Sequence, residues 1–490
     1  MRRWLGPVAI LVLAVTVAYG AYLAWRLVRA RAALRGAVEE IRRRGEPIGW
    51  AELASAPKPA AGNAAEFHKQ AVRTHRRRFR TDGLGARDAR RAALLDVLRD
   101  DVVVCPALRE RHAGDIREIL SLSQGVLWYC RRARRYKQTD WPVGSAARAR
   151  EELGDQRREL SDVVSLLCLA ALAADATGDA LEAIERLRDA MALARSIESV
   201  PSLEAFELAA WTAQAVCLVV EEIAPHLPAG AGQAAIGPAT RGLIDDLFRN
   251  DRFERALLGE RCAVHDLAER VRSGDVPVRV LPRWPRGRGV RESLGALRLA
   301  EVFPAFYAAD EAKLLRTLSG EIAAARARTY PAALAARPTR AAPGGATSLS
   351  VLLLPRLNRR LRVRYRVLAM RRMAATALAI GLHRRSGRLP PQRLAALVPA
   401  QLPFVPADPF AAGGATIRHT RGAGRWLLYS VFKNGRDDGG RYAIGSRGAV
   451  DLVDSPDLVF FLDARRPAPS PGGRLPSSRR AVSERSGSTP

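Results

Sequence analysis

The residues best suited to ligand chemistry lie near the C-terminal end. Asp437, Asp438 and Asp451, with Asp454 close behind, are hard oxygen donors, and Gly439-Gly440 lets the backbone turn so that carbonyls can join them. Such a donor set suits calcium. Its spacing is not that of an EF-hand, and Asp-Asp-Gly-Gly is also an ordinary turn sequence whose Asp side chains bond nearby amides. Two readings therefore stand side by side: a calcium site at Asp437, Asp438 and Asp451, or a plain turn. Elsewhere the reactive residue types are scattered. The seven histidines form no H-E-x-x-H or other two-histidine helix pattern. Cys105, Cys130, Cys168, Cys217 and Cys262 lack C-x-x-C spacing and are odd in number, so neither a zinc site nor a disulfide framework is indicated. There is no G-x-S-x-G, Walker or G-x-G-x-x-G motif. Glu260-Arg261 and Asp310-Glu311 fall on predicted helices with no nucleophile or metal ligand beside them. We assign no catalytic residue and no cofactor beyond the candidate calcium.

Charge is the next clue. Lys and Arg outnumber Asp and Glu by 79 to 50, and only five of the 79 are Lys. An arginine skew of that size reads as coding bias as much as selection for an anionic partner. The surplus is uneven: between Glu321 and Asp408 there are 16 Arg and no acidic residue. Such a block attracts phosphate or carboxylate, and segment 356–385 is the expected contact for anionic lipid or an acidic protein partner. Nucleic acid is the weaker reading of the same charge.

The elements that must hold these residues begin with a membrane anchor. Residues 4–25 (WLGPVAILVLAVTVAYGAYLAW) carry no charge and span about 33 Å as helix, enough for a hydrocarbon core of ~30 Å. Trp4, Tyr19, Tyr22 and Trp25 sit toward its ends, where amphipathic rings prefer headgroups. The apolar run continues past the small-x-small site Ala18-Tyr19-Gly20, which favours an uncleaved signal anchor over a cleaved signal peptide. Residues 26–48 continue the helix until Gly45-Glu46-Pro47, with Arg26, Arg29 and Arg31 able to snorkel to lipid phosphates.

Residues 49–330 read as an α-helical body. An apolar helix over 159–175, a break at Thr177-Gly178-Asp179 and a helix over 180–198 predict a helical hairpin, followed after Pro201 by a helix over 202–224. Further helices are predicted over 238–273 and 291–329, separated by an Arg/Pro-rich loop around Trp284. Residues 331–350 lose periodicity and read as a linker. A third unit spans 351–463: a long helix from about Pro355 to Arg385 whose apolar stripe docks and leaves Arg356, Arg360, Arg364 and Arg371 on the surface, then a short helix at 392–398. Thr416–Thr420 and Arg425–Phe432 form a predicted hairpin, and Asp457–Leu462 a further strand. The low-complexity residues 464–490 read as a disordered tail.

This last unit resembles the globular end of the major pseudopilin of type II secretion. The resemblance rests on Pro391, Leu394 and Leu397, on the turn Asp408-Pro409-Phe410, on Tyr429-Ser430, and on Asp437, Asp438, Gly439, Gly440 and Asp451. It covers about 80 of the 490 residues, and Phe432 stands where that family has a glycine. Together with the anchor and the Gly45-Glu46-Pro47-Ile48 start, the chain resembles uncharacterised bacterial membrane-anchored proteins. That resemblance implies an envelope location.

The expected fold is mainly α: an N-terminal transmembrane helix, a hairpin-type helical body and a small C-terminal α+β pseudopilin-like module. The expected role is a single-pass inner-membrane protein with its large domain extracytoplasmic, acting as scaffold or binding partner. A cytoplasm-facing nucleic-acid binder and an enzyme with an unrecognised site are the alternatives.

Overall fold

In the computed structural model, the described residues are 5–53, 62–79, 86–99, 105–141, 146–228, 234–249, 251–273, 304–337, 357–388, 391–422, 425–445 and 450–463. The tail 464–490, the Trp284 loop and the segment 338–350 of the expected linker lie outside them.

The chain is mainly helical, with an N-terminal apolar helix and a small antiparallel sheet near its C-terminal end. Helix α1 (Leu5–Arg43) runs without interruption through the apolar segment and the arginines that follow. Its end is chemically specified. Gly45 takes the left-handed conformation (φ 66°), the amides of Gly45 and Glu46 return to Arg42 and Ile41, and Pro47 cannot continue the helix. The two halves of α1 differ sharply. Side chains from Ile10 to Val28 are almost all exposed, whereas Ala30, Leu34, Ala37 and Ile41, spaced four, three and four apart, form a buried seam.

Among the described residues, eleven α-helices follow before the chain reaches the partner of that seam. They are α2 (Trp50–Leu53), α3 (Ala64–Phe79), α4 (Ala86–Arg99), α5 (Pro106–Arg111), α6 (Ala113–Leu122), α7 (Gln124–Ala133), α8 (Ala146–Ala176), α9 (Ala180–Ile197), α10 (Leu203–Ile223), α11 (Ile236–Phe248) and α12 (Phe253–Arg272). Helices α8 and α9 form the expected hairpin: Gly178 is left-handed (φ 80°), and the Asp179 side chain caps α9 by accepting from the Glu182 amide. The single helix expected over 238–273 is instead two. The Asp251 carboxylate accepts the Phe253 amide and starts α12 afresh, a capping role that periodicity alone does not reveal.

Helix α13 (Pro304–Ala325) presents Ala308, Ala312 and Leu315 to the seam of α1. Arg316 reaches the Ala33 carbonyl and Arg326 reaches Glu46, so α1 and α13 run in the same direction. A short helix, α14 (Tyr330–Ala335), occupies the start of the expected linker and buries Tyr330 and Ala333. Helix α15 (Leu357–Arg385) then packs on α10 and α11. One hydrophobic core runs from Trp50 through α8–α10 and α15 to Phe460, so the body and the C-terminal unit share it. Helix α10 is apolar and long enough to cross a membrane, yet two thirds of it is buried in that core.

The sheet has the order β1 (Arg418–Gly422), β2 (Arg425–Ser430), β3 (Leu458–Phe461), antiparallel throughout. Alternation assigns its faces: Leu428, Leu458 and Phe460 join the main core, while Leu427, Tyr429, Val459 and Phe461 pack under Tyr442 and Val450. The buried Glu221 of α10 accepts the Phe461 amide and ties the sheet edge to the body. Residues expected as a short helix at 392–398 form one 3-10 turn, Leu394–Leu397.

Candidate functional site

The aspartate loop is built on β2. Tyr429 projects its hydroxyl to Asp437 at 2.9 Å, the Gly439 amide donates to the same oxygen at 3.0 Å, and Arg418 Nε donates to the other at 2.7 Å. Burial works against ionisation of Asp437, but the Gly439 amide, Tyr429 and Arg418 outweigh it and hold its carboxyl below the ordinary range. Burial, reinforced by Asp437, pushes the Tyr429 phenol up to about 12, so it stays protonated and donates. Asp438 accepts from the Asn434 side chain, Asp451 accepts the amides of Val453 and Asp454, and Asp454 pairs with Lys433. Asp437, Asp438 and Asp451 are thus each engaged in separate protein bonds. Among the described residues, no group of three His, Cys, Asp or Glu side chains could hold a metal ion.

Beneath the loop lies a deeper carboxylate. Asp408, fully buried, accepts the amides of Phe410 and Val431 and the Ser430 hydroxyl, with Arg418 at 3.3 Å. It fixes the Asp408-Pro409-Phe410 turn against β2. The Phe432 that replaces a glycine in the resemblance has φ 47°, a left-handed conformation that costs a side-chain-bearing residue roughly 1–2 kcal/mol. Its ring is buried against Phe410 at 5.1 Å between centroids, and that burial offsets the strain.

The arginine block departs from expectation. Arg360 pairs with Glu207 and Arg364 with Asp251. Arg371 is buried and donates to the carbonyls of Asp246, Leu247 and Arg249, closing the C-terminal end of α11. Arg366 is so buried that its pKa falls to about 10, and Arg372 bonds the Ala407 carbonyl. Arg356 lies outside the described residues. The expected open surface of Arg360, Arg364 and Arg371 is therefore corrected: their partners come from helices far away in sequence.

The assembly that sequence reading missed is at the C-terminal end of α1. Glu46, immediately after the α1 cap, accepts from Arg261 Nη1 at 2.6 Å and Arg326 Nη2 at 2.7 Å. Arg261, fully buried, also donates to the Ser319 hydroxyl and the Pro47 carbonyl. Burial alone would raise the pKa of Glu46; Arg261 and Arg326 reverse the shift and hold the carboxyl below its ordinary range. The next residues are fastened too: the Ile48 amide donates to Glu52 and the Trp50 amide to Asp266. Three consecutive residues of α12 organise this joint. Gly259 lets the Pro201 carbonyl approach where a side chain could not fit, Glu260 accepts the Leu203 amide that opens α10, and Arg261 grips Glu46. Its sequence signals were slight: Gly45-Glu46-Pro47-Ile48 reads as a helix break, and Glu260-Arg261 as charges on a predicted helix.

This joint gathers acids, guanidinium groups and amides, with the Ser319 hydroxyl on Arg261 and the Cys262 thiol 3.7 Å from the Pro47 carbonyl, and its bonds fasten the end of α1 to the body. The five cysteines are buried and none forms a disulfide, and burial pushes the thiols of Cys168, Cys217 and Cys262 up to about 12. His75 bonds Asp162 at 3.2 Å inside the core, and burial lowers the pKa of neighbouring His68 to about 3, which keeps its ring neutral. Compared with known protein families, curated proteins and solved structures, the chain matches none.

Proposed function

We propose that this chain is a single-pass inner-membrane protein whose helical body serves as an extracytoplasmic scaffold or binding partner. One observation carries the reading. Helix α1 exposes an uncharged apolar half long enough to cross a bilayer, and its other half is built into the body by the Glu46 joint. A cleaved signal peptide has no reason to continue into a helix whose last turns are core residues. The order of long helix, Asp-Pro-Phe turn, hairpin and Asp-Gly loop, which resembles a pseudopilin end, supports the envelope assignment. The ion pairs of Arg360 and Arg364 and the carbonyl bonds of buried Arg371 weaken a nucleic-acid role for that block.

The test is extraction and topology. The full chain should stay with membranes in alkaline carbonate and leave them in detergent. A reporter active only outside the cytoplasm, fused after Asp463, should be active. Release by carbonate would sink the anchor; an inactive reporter on a stable fusion would sink the orientation.

A further inference from the structure

We infer that the end of the body formed around residues 26–35, the last turn of α12 and the first turns of α13 is a docking face for anionic lipid headgroups. This rests on the membrane anchor proposed above and adds a surface, a partner and a fixed geometry. The first α1 residue buried against the body is Ala30. Ala30 is five residues beyond Trp25, or about 7.5 Å along a helix axis. The headgroup layer on each side of a hydrocarbon core is roughly 5–7 Å deep. No spacer therefore separates the body from the lipid surface.

The helix directions decide which end faces the lipid. Helix α13 runs parallel to α1, so its N-terminal turns point toward the membrane. Helix α12 runs the opposite way against α13, since Arg261 meets Ser319 while His265 and Arg272 meet Glu311. Its C-terminal turn, with exposed Arg270 and Arg272, points toward the membrane too. Charge along α1 follows the same axis. Residues 26–38 hold Arg26, Arg29, Arg31 and Arg35, all exposed, and no acid; Glu39 and Glu40 come only farther from the membrane. Arg26 and Arg29 lie over the rings of Tyr22 and Trp25, at 5.8 and 5.2 Å, which fixes them at the interface. Among the described residues, the acids at this end are Glu269, exposed, and the buried pair Asp310 and Glu311, of which Glu311 is held by His265 and Arg272. The positive surplus is thus directed at the one plane where lipid phosphates lie. A basic side chain near such a surface strengthens binding by about fivefold.

The experiment uses the full chain in nanodiscs of phosphatidylcholine, with and without phosphatidylglycerol, read by hydrogen exchange over 265–273 and 308–316. Exchange should slow by about fivefold or more in the anionic discs. The slowing should vanish in Arg26→Gln/Arg29→Gln/Arg31→Gln/Arg35→Gln and return when the same four are Lys. These side chains are exposed, so the variant's thermal melt should match the parent's. Equal exchange in both discs, with the protein integrated, overturns the docking face and leaves the anchor intact. Failure to enter discs at all overturns both. If inorganic phosphate in neutral discs protects equally, the face binds a free anion and the lipid proposal falls.

Discussion

Glu46 with Arg261 and Asp437 with Arg418 are the same chemical pair in two settings. At the joint beyond α1 both side chains are buried, at 7% and 0% exposure, and the bonds cross 215 residues of sequence. In the C-terminal loop the exposures are 47% and 26%, and the partners are 19 residues apart. The loop looked like a site in the sequence because its aspartates are clustered. The joint was invisible because each member sits on a different element. Energetic weight follows the opposite order: a buried charge that loses its partner is expensive, and an exposed pair is screened by water.

The largest expected effect follows from that ordering. Arg261→Ala leaves Glu46 with the half-exposed Arg326, takes the guanidinium from the Ser319 hydroxyl, and leaves the Pro47 carbonyl with the weaker Cys262 thiol. It should cost about 3–5 kcal/mol of unfolding free energy in urea titrations of the detergent-solubilised chain. A double-mutant cycle with Glu46→Gln should show strong coupling. A cost below about 1 kcal/mol would place the joint in the same class as the loop and erase the contrast.

The second effect sharpens the same comparison through the backbone. A Cβ on Gly259 would lie 1.7 Å from the Pro201 carbonyl oxygen, a contact only backbone movement can relieve. Gly259→Ala should therefore cost about 1–3 kcal/mol or more. Gly36, on the open side of α1, meets nothing within 4 Å. Gly36→Ala should be neutral or stabilise by up to about 1 kcal/mol through helix propensity. Equal melts for the two variants would show that the Pro201 approach is not needed.

Much of the fold was legible because it is local. Apolar periodicity gave the α8–α9 hairpin, Gly178 and Asp179 gave its turn, a Gly-containing turn sequence gave the hairpin that includes β2, and an apolar run gave β3. What failed was long-range. Asp251 restarting a helix, Arg371 closing α11 and Arg261 gripping Glu46 all depend on which element lies next to which. A charged residue on a predicted helix reads as solvated unless its partner is known.

A third test uses pH, within the loop itself. Burial pushes Asp457 up to about 6, against the pull of the Gly440 amide and other backbone donors. Its folded pKa stands above its ordinary value, so the folded state holds the extra proton between about pH 4 and 6. Stability is then fullest below the ordinary value and is lost as pH rises through about 6, by about 1–3 kcal/mol. Asp457→Asn should flatten that window, matching the parent near pH 4 and exceeding it near pH 8. A parent whose stability rises steadily from pH 4 to 7, with Asp457→Asn following it, would mean that the carboxyl is ionised throughout.

The smallest effect belongs to Asp437, and it decides between turn and metal site. Its folded pKa is depressed, so its contribution is present above the ordinary carboxylate pKa and is lost only as pH falls through the lower folded value. At 47% exposure its pair with Arg418 is worth under about 1 kcal/mol, and Asp437→Asn should fall within that limit near neutral pH. Calcium would have to displace Arg418, Tyr429 and the Gly439 amide from Asp437, and Asn434 from Asp438, before it gained a ligand. The midpoint of the full chain's melt should therefore be the same in millimolar calcium and in chelator. The full chain is required, because α15 is a core helix of the body and a fragment beginning there would expose that face. Any ligand that binds the folded state alone must raise the midpoint according to RT ln(1 + [L]/Kd). A calcium-dependent rise abolished by Asp437→Asn would show that the loop rearranges around the ion. The contrast with the joint beyond α1 would then be between two strong sites instead of a strong and a weak one.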